Sequence, residues 1–179
     1  MTEGERQSGL VIEVPEAEVV VARHRVELDA SAVLGAPAHV TILFPFVPAA
    51  RIDSPVLYRL GRLFGGYPSF DYRFARSAWF GDDVLWLAPD DPEPFLSLTA
   101  GVHGQWPEHP PFEGAFSDVV PHLTVGHGAG VERLQAAERA VSLGLPVIGR
   151  ATAVSLLVQD HMGRWTREAQ FPLAATSMR

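Results

Sequence analysis

The feature that most narrows what this chain can become is a segment that occurs twice. Pro37-Ala38-His39-Val40-Thr41-Ile42 is echoed, 83 positions on, by Val120-Pro121-His122-Leu123-Thr124-Val125. Both copies are rich in β-formers and both are followed by a helical pattern, so each reads as a strand leading to a helix. Side chains alternate faces along a strand. His39 and Thr41 therefore point to one side, and Val40 and Ile42 to the other. His122 and Thr124 are set against Leu123 and Val125 in the same way. Each copy buries an apolar face and presents an imidazole beside a hydroxyl. With 7 His and 7 Thr in 179 residues, shuffling yields only about 0.27 His-x-Thr triplets. Two copies in matched apolar settings are far rarer than that, so the pair is read as an internal repeat and the fold as two related lobes.

The rest of the chain fits an α+β protein. Residues 10–14 form a β-branched run closed by Pro15, and 16–28 an acidic-started helix. A strand over 38–46 follows the punctuation at Gly35 and Pro37. Asp53 and Ser54 before Pro55 make an N-cap signal for a helix to Phe64, stopped by Gly65-Gly66. Strands over 70–80 and 84–88 flank the turn Gly81-Asp82-Asp83 and predict a hairpin. A helix over 92–105 leads to a proline-rich loop, 106–114, long enough to overhang a cleft. Then come a strand (119–126), an amphipathic helix (131–142), one long strand (150–159) and a closing strand (164–171). Strands and helices alternate with hairpins mixed in, which predicts mixed sheets rather than a doubly wound one. Residues 1–9 are polar and expected to be loose, leaving 10–179 as a single domain. The leader lacks a basic stretch followed by an apolar one, so no signal peptide is read. No apolar run approaches the ~18 residues of a membrane span. The expectation is a cytoplasmic protein with no membrane partner.

Composition excludes several chemistries. There is no cysteine, hence no disulfide, thiolate metal site or cysteine nucleophile. The formal charge is −7, and all 14 cationic side chains are arginine. Net acidity argues against coating DNA, which needs many phosphates neutralised. It leaves room for a single anion in a local pocket. The histidine spacings do not suit a metal: His122 and His127 are five apart and His103 and His109 six apart, where zinc needs three or four converging ligands. No cofactor is expected.

The chemistry that needs two imidazoles and two hydroxyls together is phosphodiester cleavage without a metal. One histidine, neutral, takes a proton from the attacking oxygen. The other, protonated, gives one to the leaving oxygen. Imidazole titrates near pH 6.5, so both states are accessible near neutrality. The hydroxyls of Thr41 and Thr124 donate to the non-bridging oxygens, where charge develops. Phe80, Phe44 and Phe46 are candidates for stacking an unpaired base, as is Trp79, with core packing the ordinary alternative.

These residues resemble a known family, the two-histidine (2H) phosphoesterases, and within it the bacterial 2′-5′ RNA ligase-like proteins. The resemblance runs roughly from Val11 to Phe171. It includes Pro45-Phe46, Trp79-Phe80 before Leu85-Trp86-Leu87, and Phe116 ahead of Pro121-His122. It implies two pseudo-symmetric βα lobes with antiparallel sheets flanking a central cleft. It also implies opening of 2′,3′-cyclic phosphates, usually to a 2′-phosphate, at an RNA terminus or on a small cyclic nucleotide. Some relatives also join or split 2′-5′ linkages reversibly. Carried over, His39 is the acid, His122 the base, and Thr41 and Thr124 hold the phosphate. One departure stands out. Where many relatives have an arginine after the second motif, this chain has His127, which would be the phosphate contact unless Arg23, Arg73 or Arg76 substitutes. A monomer is expected. Two rival readings share the same cleft: a non-catalytic nucleotide or RNA-end binding module, and a phosphodiesterase for a non-RNA cyclic phosphate such as one derived from ADP-ribose.

Overall fold

The two motif strands occupy equivalent places in two sheets. The computed structural model describes residues 5–115 and 117–176. Phe116 and residues 1–4 of the leader lie outside the described residues. The elements are β1 (Ser8–Glu13), α1 (Glu18–Leu28), α2 (Ala30–Val33), β2 (His39–Leu43), α3 (Ser54–Phe64), β3 (Phe70–Phe80) and β4 (Val84–Pro89). They continue with α4 (Glu93–Gln105), β5 (Leu123–His127), α5 (Val131–Ser142), β6 (Val147–Ala151), β7 (Ala153–Gln159) and β8 (Trp165–Pro172).

One antiparallel sheet has the order β2-β1-β7-β8 and the other β5-β4-β3-β6. In each, the strand of the His-x-Thr motif is the edge, β5 starting just after His122, and among the described residues its only ladder neighbour is the strand before it in the chain's own half. The edges β2 and β5 lie side by side. The helices behind them are exchanged. α1, which follows β1, packs against β5, and α4, which follows β4, packs against β2. One continuous cluster of buried side chains therefore includes both sheets, from Leu10 and Ile42 to Leu85 and Val125. The α+β architecture of two antiparallel sheets is as expected. No helix among the described residues is long and apolar enough to cross a membrane.

Local signals explain most boundaries. Asp53 accepts from the Val56 N–H and caps α3, whose inner face buries Leu60 and Phe64. The hairpin β3–β4 turns at Gly81, in the left-handed region that glycine tolerates. Two expectations are corrected. The single strand over 150–159 is two strands, β6 and β7, divided at Thr152. β6 pairs with β3 and β7 with β1, so the chain changes sheets there. β1 also starts at Ser8, so Ser8 and Gly9 belong to the sheet and not to a loose leader. Ser8 donates its hydroxyl to the Val47 carbonyl at 2.6 Å, and its own carbonyl accepts from Phe46 N.

Candidate functional site

The first wall of the cleft is set by what holds β2. His39 Nδ1 lies 2.7 Å from the Pro37 carbonyl oxygen. A carbonyl can only accept, so Nδ1 carries the proton and Nε2 keeps its lone pair. The residues ahead of it are pinned atom by atom. Ala36 O accepts from Arg25 Nη1 at 3.1 Å, Ala38 N donates to Glu18 Oε1 at 2.6 Å, and Ala38 O accepts from Val14 N at 2.8 Å. Arg25 is itself buried and held by Asp29 Oδ2, at 3.2 Å from Nε and 3.0 Å from Nη2. Burial holds the His39 pKa below the ordinary histidine value. The bond to Pro37 O and the Asp29 charge oppose this, while Arg25 and His122 add to it.

The second wall repeats the device. His122 Nδ1 donates to the Val120 carbonyl at 2.6 Å, again two residues back. Burial lowers its pKa as well, and the Val120 bond opposes that. Both rings thus leave Nε2 unprotonated above their pKa, and no described group occupies either atom. Nor does the hydroxyl of Thr41 or Thr124 have a hydrogen-bond partner among the described residues. The expected alternation holds: Val40, Ile42, Leu123 and Val125 are buried, while both histidines and both threonines are part-exposed.

Aromatic rings surround His122. Phe80 stacks on Trp86 at 4.6 Å between centroids and meets the His122 ring edge-on at 5.0 Å. Phe112, from the 106–114 loop, lies 6.4 Å from it on another side. The Phe112 backbone is in the left-handed region and is tied across the cleft by its N–H to the Phe44 carbonyl at 2.7 Å. The proline-rich loop thus reaches His122 and the segment that follows β2.

A family model described as the 2′-5′ RNA ligase superfamily matches residues 13–163 of this sequence. The chain belongs to that superfamily. Among solved structures, E. coli LigT complexed with 3′-AMP is similar at 17% identity, with 94% of this chain and 98% of that one covered and a TM-score of 0.64. LigT complexed with NADP+ is similar at 18% identity, over 94% and 98%, with a TM-score of 0.59. The protein TT0787 of Thermus thermophilus is 19% identical over 96% of this chain and 100% of its own, with a TM-score of 0.60. No curated protein matches the chain. The superfamily's fold is therefore present almost end to end, and it supports an activity of the 2H phosphoesterase type.

Within this superfamily member the other expected site residues separate. Phe44 reaches the cleft beside His39. Phe46 does not: it is 1% exposed and packs against Trp106, because the Phe46 N–H bonds to Ser8 O and draws the residue under the sheet. Its stacking role is withdrawn. Trp79 turns to the opposite face, where Nε1 donates to Glu138 of α5. His127 is exposed, with Nε2 3.4 Å from Asp83 Oδ2, and a neighbouring carboxylate works against anion binding there. Of the substitute cations, Arg73 pairs with Asp90 and Arg23 lies on the outside of α1. Arg76 lies elsewhere. Arg76 opposes Ala88 on β4, and Leu87 opposes Leu123 on β5. Extending that register by one residue sets Ala88 beside His122. Arg76, Ala88 and His122 then form one row across the sheet, on the face that carries Phe80 and Trp86. Arg76 has no ion pair or hydrogen bond among the described residues. Trp86, Phe112 and Arg25 are the site residues that sequence reasoning passed over. For Trp86 the signal was available, since the hairpin register puts it on the same face as Phe80.

Proposed function

We propose that this protein is a metal-independent phosphodiesterase that opens 2′,3′-cyclic phosphates at RNA ends or on nucleotides to leave a 2′-phosphate. The observation that most supports this is the matched pair of imidazoles. Each is locked by an Nδ1 bond to the carbonyl two residues back, and each has a free Nε2 beside a free threonine hydroxyl. In this reading water attacks phosphorus while His122 Nε2 takes its proton. The P–O3′ bond breaks, and the proton on His39 Nε2 passes to the departing O3′. Thr41 and Thr124 donate to the non-bridging oxygens, and Arg76 supplies the phosphate-binding cation that the resemblance first suggested for His127. The LigT structures hold 3′-AMP and NADP+, and a phosphorylated nucleotide suits a cleft with this donor set. A net charge of −7 fits recognition of one terminal phosphate better than a long backbone.

The test is turnover of a panel of 2′,3′-cyclic nucleotides, cyclic-ended RNAs, 2′-5′-linked RNA and an ADP-ribose-derived cyclic phosphate, with 2′- and 3′-phosphate products resolved. His39→Ala and His122→Ala should each lower kcat by about 10²–10⁴-fold with circular dichroism unchanged, and EDTA should have no effect. Wild-type rates in both variants would refute the mechanism. Nucleotide affinity with no product over hours would make the protein a binding module.

A further inference from the structure

We infer that Phe112 sets which nucleophile the site accepts: it leaves room beside His122 for water and keeps out the hydroxyl of a second nucleotide. The inference rests on the function proposed above, in which His122 is the base, and it makes the protein a hydrolase that neither joins nor splits 2′-5′ links.

The two reactions differ only at the attacking oxygen. In hydrolysis a P–O bond forms to water, the P–O3′ bond breaks, His122 takes the water proton and His39 gives one to O3′. In joining, a 5′-hydroxyl takes the place of water, with the same bond broken and the same two proton transfers, and a 2′-5′ link results. The histidines and threonines serve both reactions equally. What separates them is the space beside His122, because a 5′-oxygen brings a methylene and a ribose with it. Splitting a 2′-5′ link is the reverse of joining, so the departing 5′-oxygen needs that same space.

Rings crowd that space. Phe80 meets His122 edge-on at 5.0 Å and 90°, and Trp86 lies at 5.8 Å and 67°. These two come from the sheet and stack on one another. Phe112 comes from the proline-rich loop, and its ring lies 6.4 Å from the imidazole and nearly parallel to it, at 24°. The enclosure is apolar. The single polar atom of the three rings, Trp86 Nε1, is buried and has no hydrogen-bond partner among the described residues. The rings therefore offer a ribose no polar contact to offset its desolvation.

The Phe112 ring is held in place. Its N–H donates to the Phe44 carbonyl at 2.7 Å, and its own carbonyl accepts from Ala115 N at 3.0 Å. Pro110 and Pro111 restrict φ just ahead of it. Trp106, 2% exposed, anchors the start of the loop against Phe46 at 5.3 Å. Phe112 and Glu113 adopt φ of 51° and 55°, a region that bulky side chains enter only where the surroundings impose it. Such a backbone suits glycine, yet the position carries a large ring.

Product ratios test the assignment. Wild type, Phe112→Gly and Phe112→Tyr are each given a 2′,3′-cyclic nucleotide in water with methanol or with uridine, whose 5′-hydroxyl is the nucleophile. Transfer product is read relative to hydrolysis product, so a loss of active protein cancels. Phe112→Gly removes the ring and keeps a residue that the left-handed backbone tolerates. It should raise uridine transfer by roughly 10- to 200-fold, the range that steric selection in an apolar pocket covers, and leave methanol transfer within a few-fold. Phe112→Tyr should match the wild type. A uridine ratio unchanged in Phe112→Gly would overturn the assignment, as would equal gains for methanol and uridine, or Phe112→Tyr behaving like Phe112→Gly. So would a wild type that transfers to both alcohols alike, mole for mole. Any of these results alongside turnover sinks the role of Phe112 alone. A wild type that opens none of the cyclic nucleotides sinks the proposed reaction, and the selection of its nucleophile with it.

Discussion

Each candidate acid–base residue is a histidine bonded to a carbonyl two positions behind it, and that small loop decides its tautomer. It also sets up a pH prediction. Burial lowers the pKa of both His39 and His122 below 6.5. The proposed reaction needs one ring neutral and one protonated, so the kcat/KM profile, which reports the free enzyme, should be a bell centred below pH 6.5. A bound phosphodiester anion favours the imidazolium, so the kcat profile should be displaced to higher pH. A kcat/KM optimum above 7.5 would show that burial is not what governs these rings. At this scale much was legible. The motif spacing named His39, Thr41, His122 and Thr124, and strand alternation put them on one side. Phe46 was misread because two residues' separation from Phe44 implies a shared face only while the strand continues, and β2 ends at Leu43.

Among the elements, β5 shows how backbone irregularity places side chains. Trp86 opposes Thr124 while Leu85 opposes Gly126, so Val125 is an extra residue, a bulge. Beyond it the alternation is reversed, and His127, five residues from His122, comes round to the same face of the sheet. A strict period of two predicts the opposite; the one signal of a break within Leu123–His127 is Gly126, a residue type that often marks a bulge inside a strand. Gly126 is needed for a different reason: a Cβ there would lie 2.6 Å from Leu134 Cδ2 and 2.9 Å from Leu28 Cβ. Gly126→Ala should therefore push α5 and α1 off β5, costing about 1–3 kcal/mol, measured as a lower urea midpoint at unchanged m-value. Ahead of β2, the Arg25–Asp29 pair is nearly sealed, with side chains 3% and 8% exposed. Arg25→Met would leave the Asp29 carboxylate buried without its cation. The expected loss is about 3–5 kcal/mol in denaturant unfolding, with wild-type stability approached again when Asp29→Asn is added. The break between β6 and β7 is hidden for another reason: Ala151, Thr152 and Ala153 include no Gly, Pro, Asn or Asp, so no turn residue marks Thr152, where the chain leaves one sheet for the other.

For the whole molecule, the repeat in the sequence overstates how separable its halves are. Reading two lobes from two motifs was right about the sheets and silent about the exchanged helices, because packing partners distant in the chain leave no periodic trace. The topology also dictates an order of events. The sheet holding β5 is drawn from one unbroken stretch, β3 to β6, whereas the sheet holding β2 needs β1 to pair with β7, Ser8 opposite Val158. Closing so long a loop is slow compared with forming local hairpins. Pulse-labelled hydrogen exchange during refolding should find amides of β3 and β4 protected before those of β1, and simultaneous protection would refute that order. On a ribosome the consequence is sharper. The strand bearing His39 is made early, but its one neighbour, β1, must wait for its other partner, β7, until the last strands emerge. By this order the newborn chain acquires its His122 wall first, and the two motif strands stand in finished sheets only once β7 has reached β1.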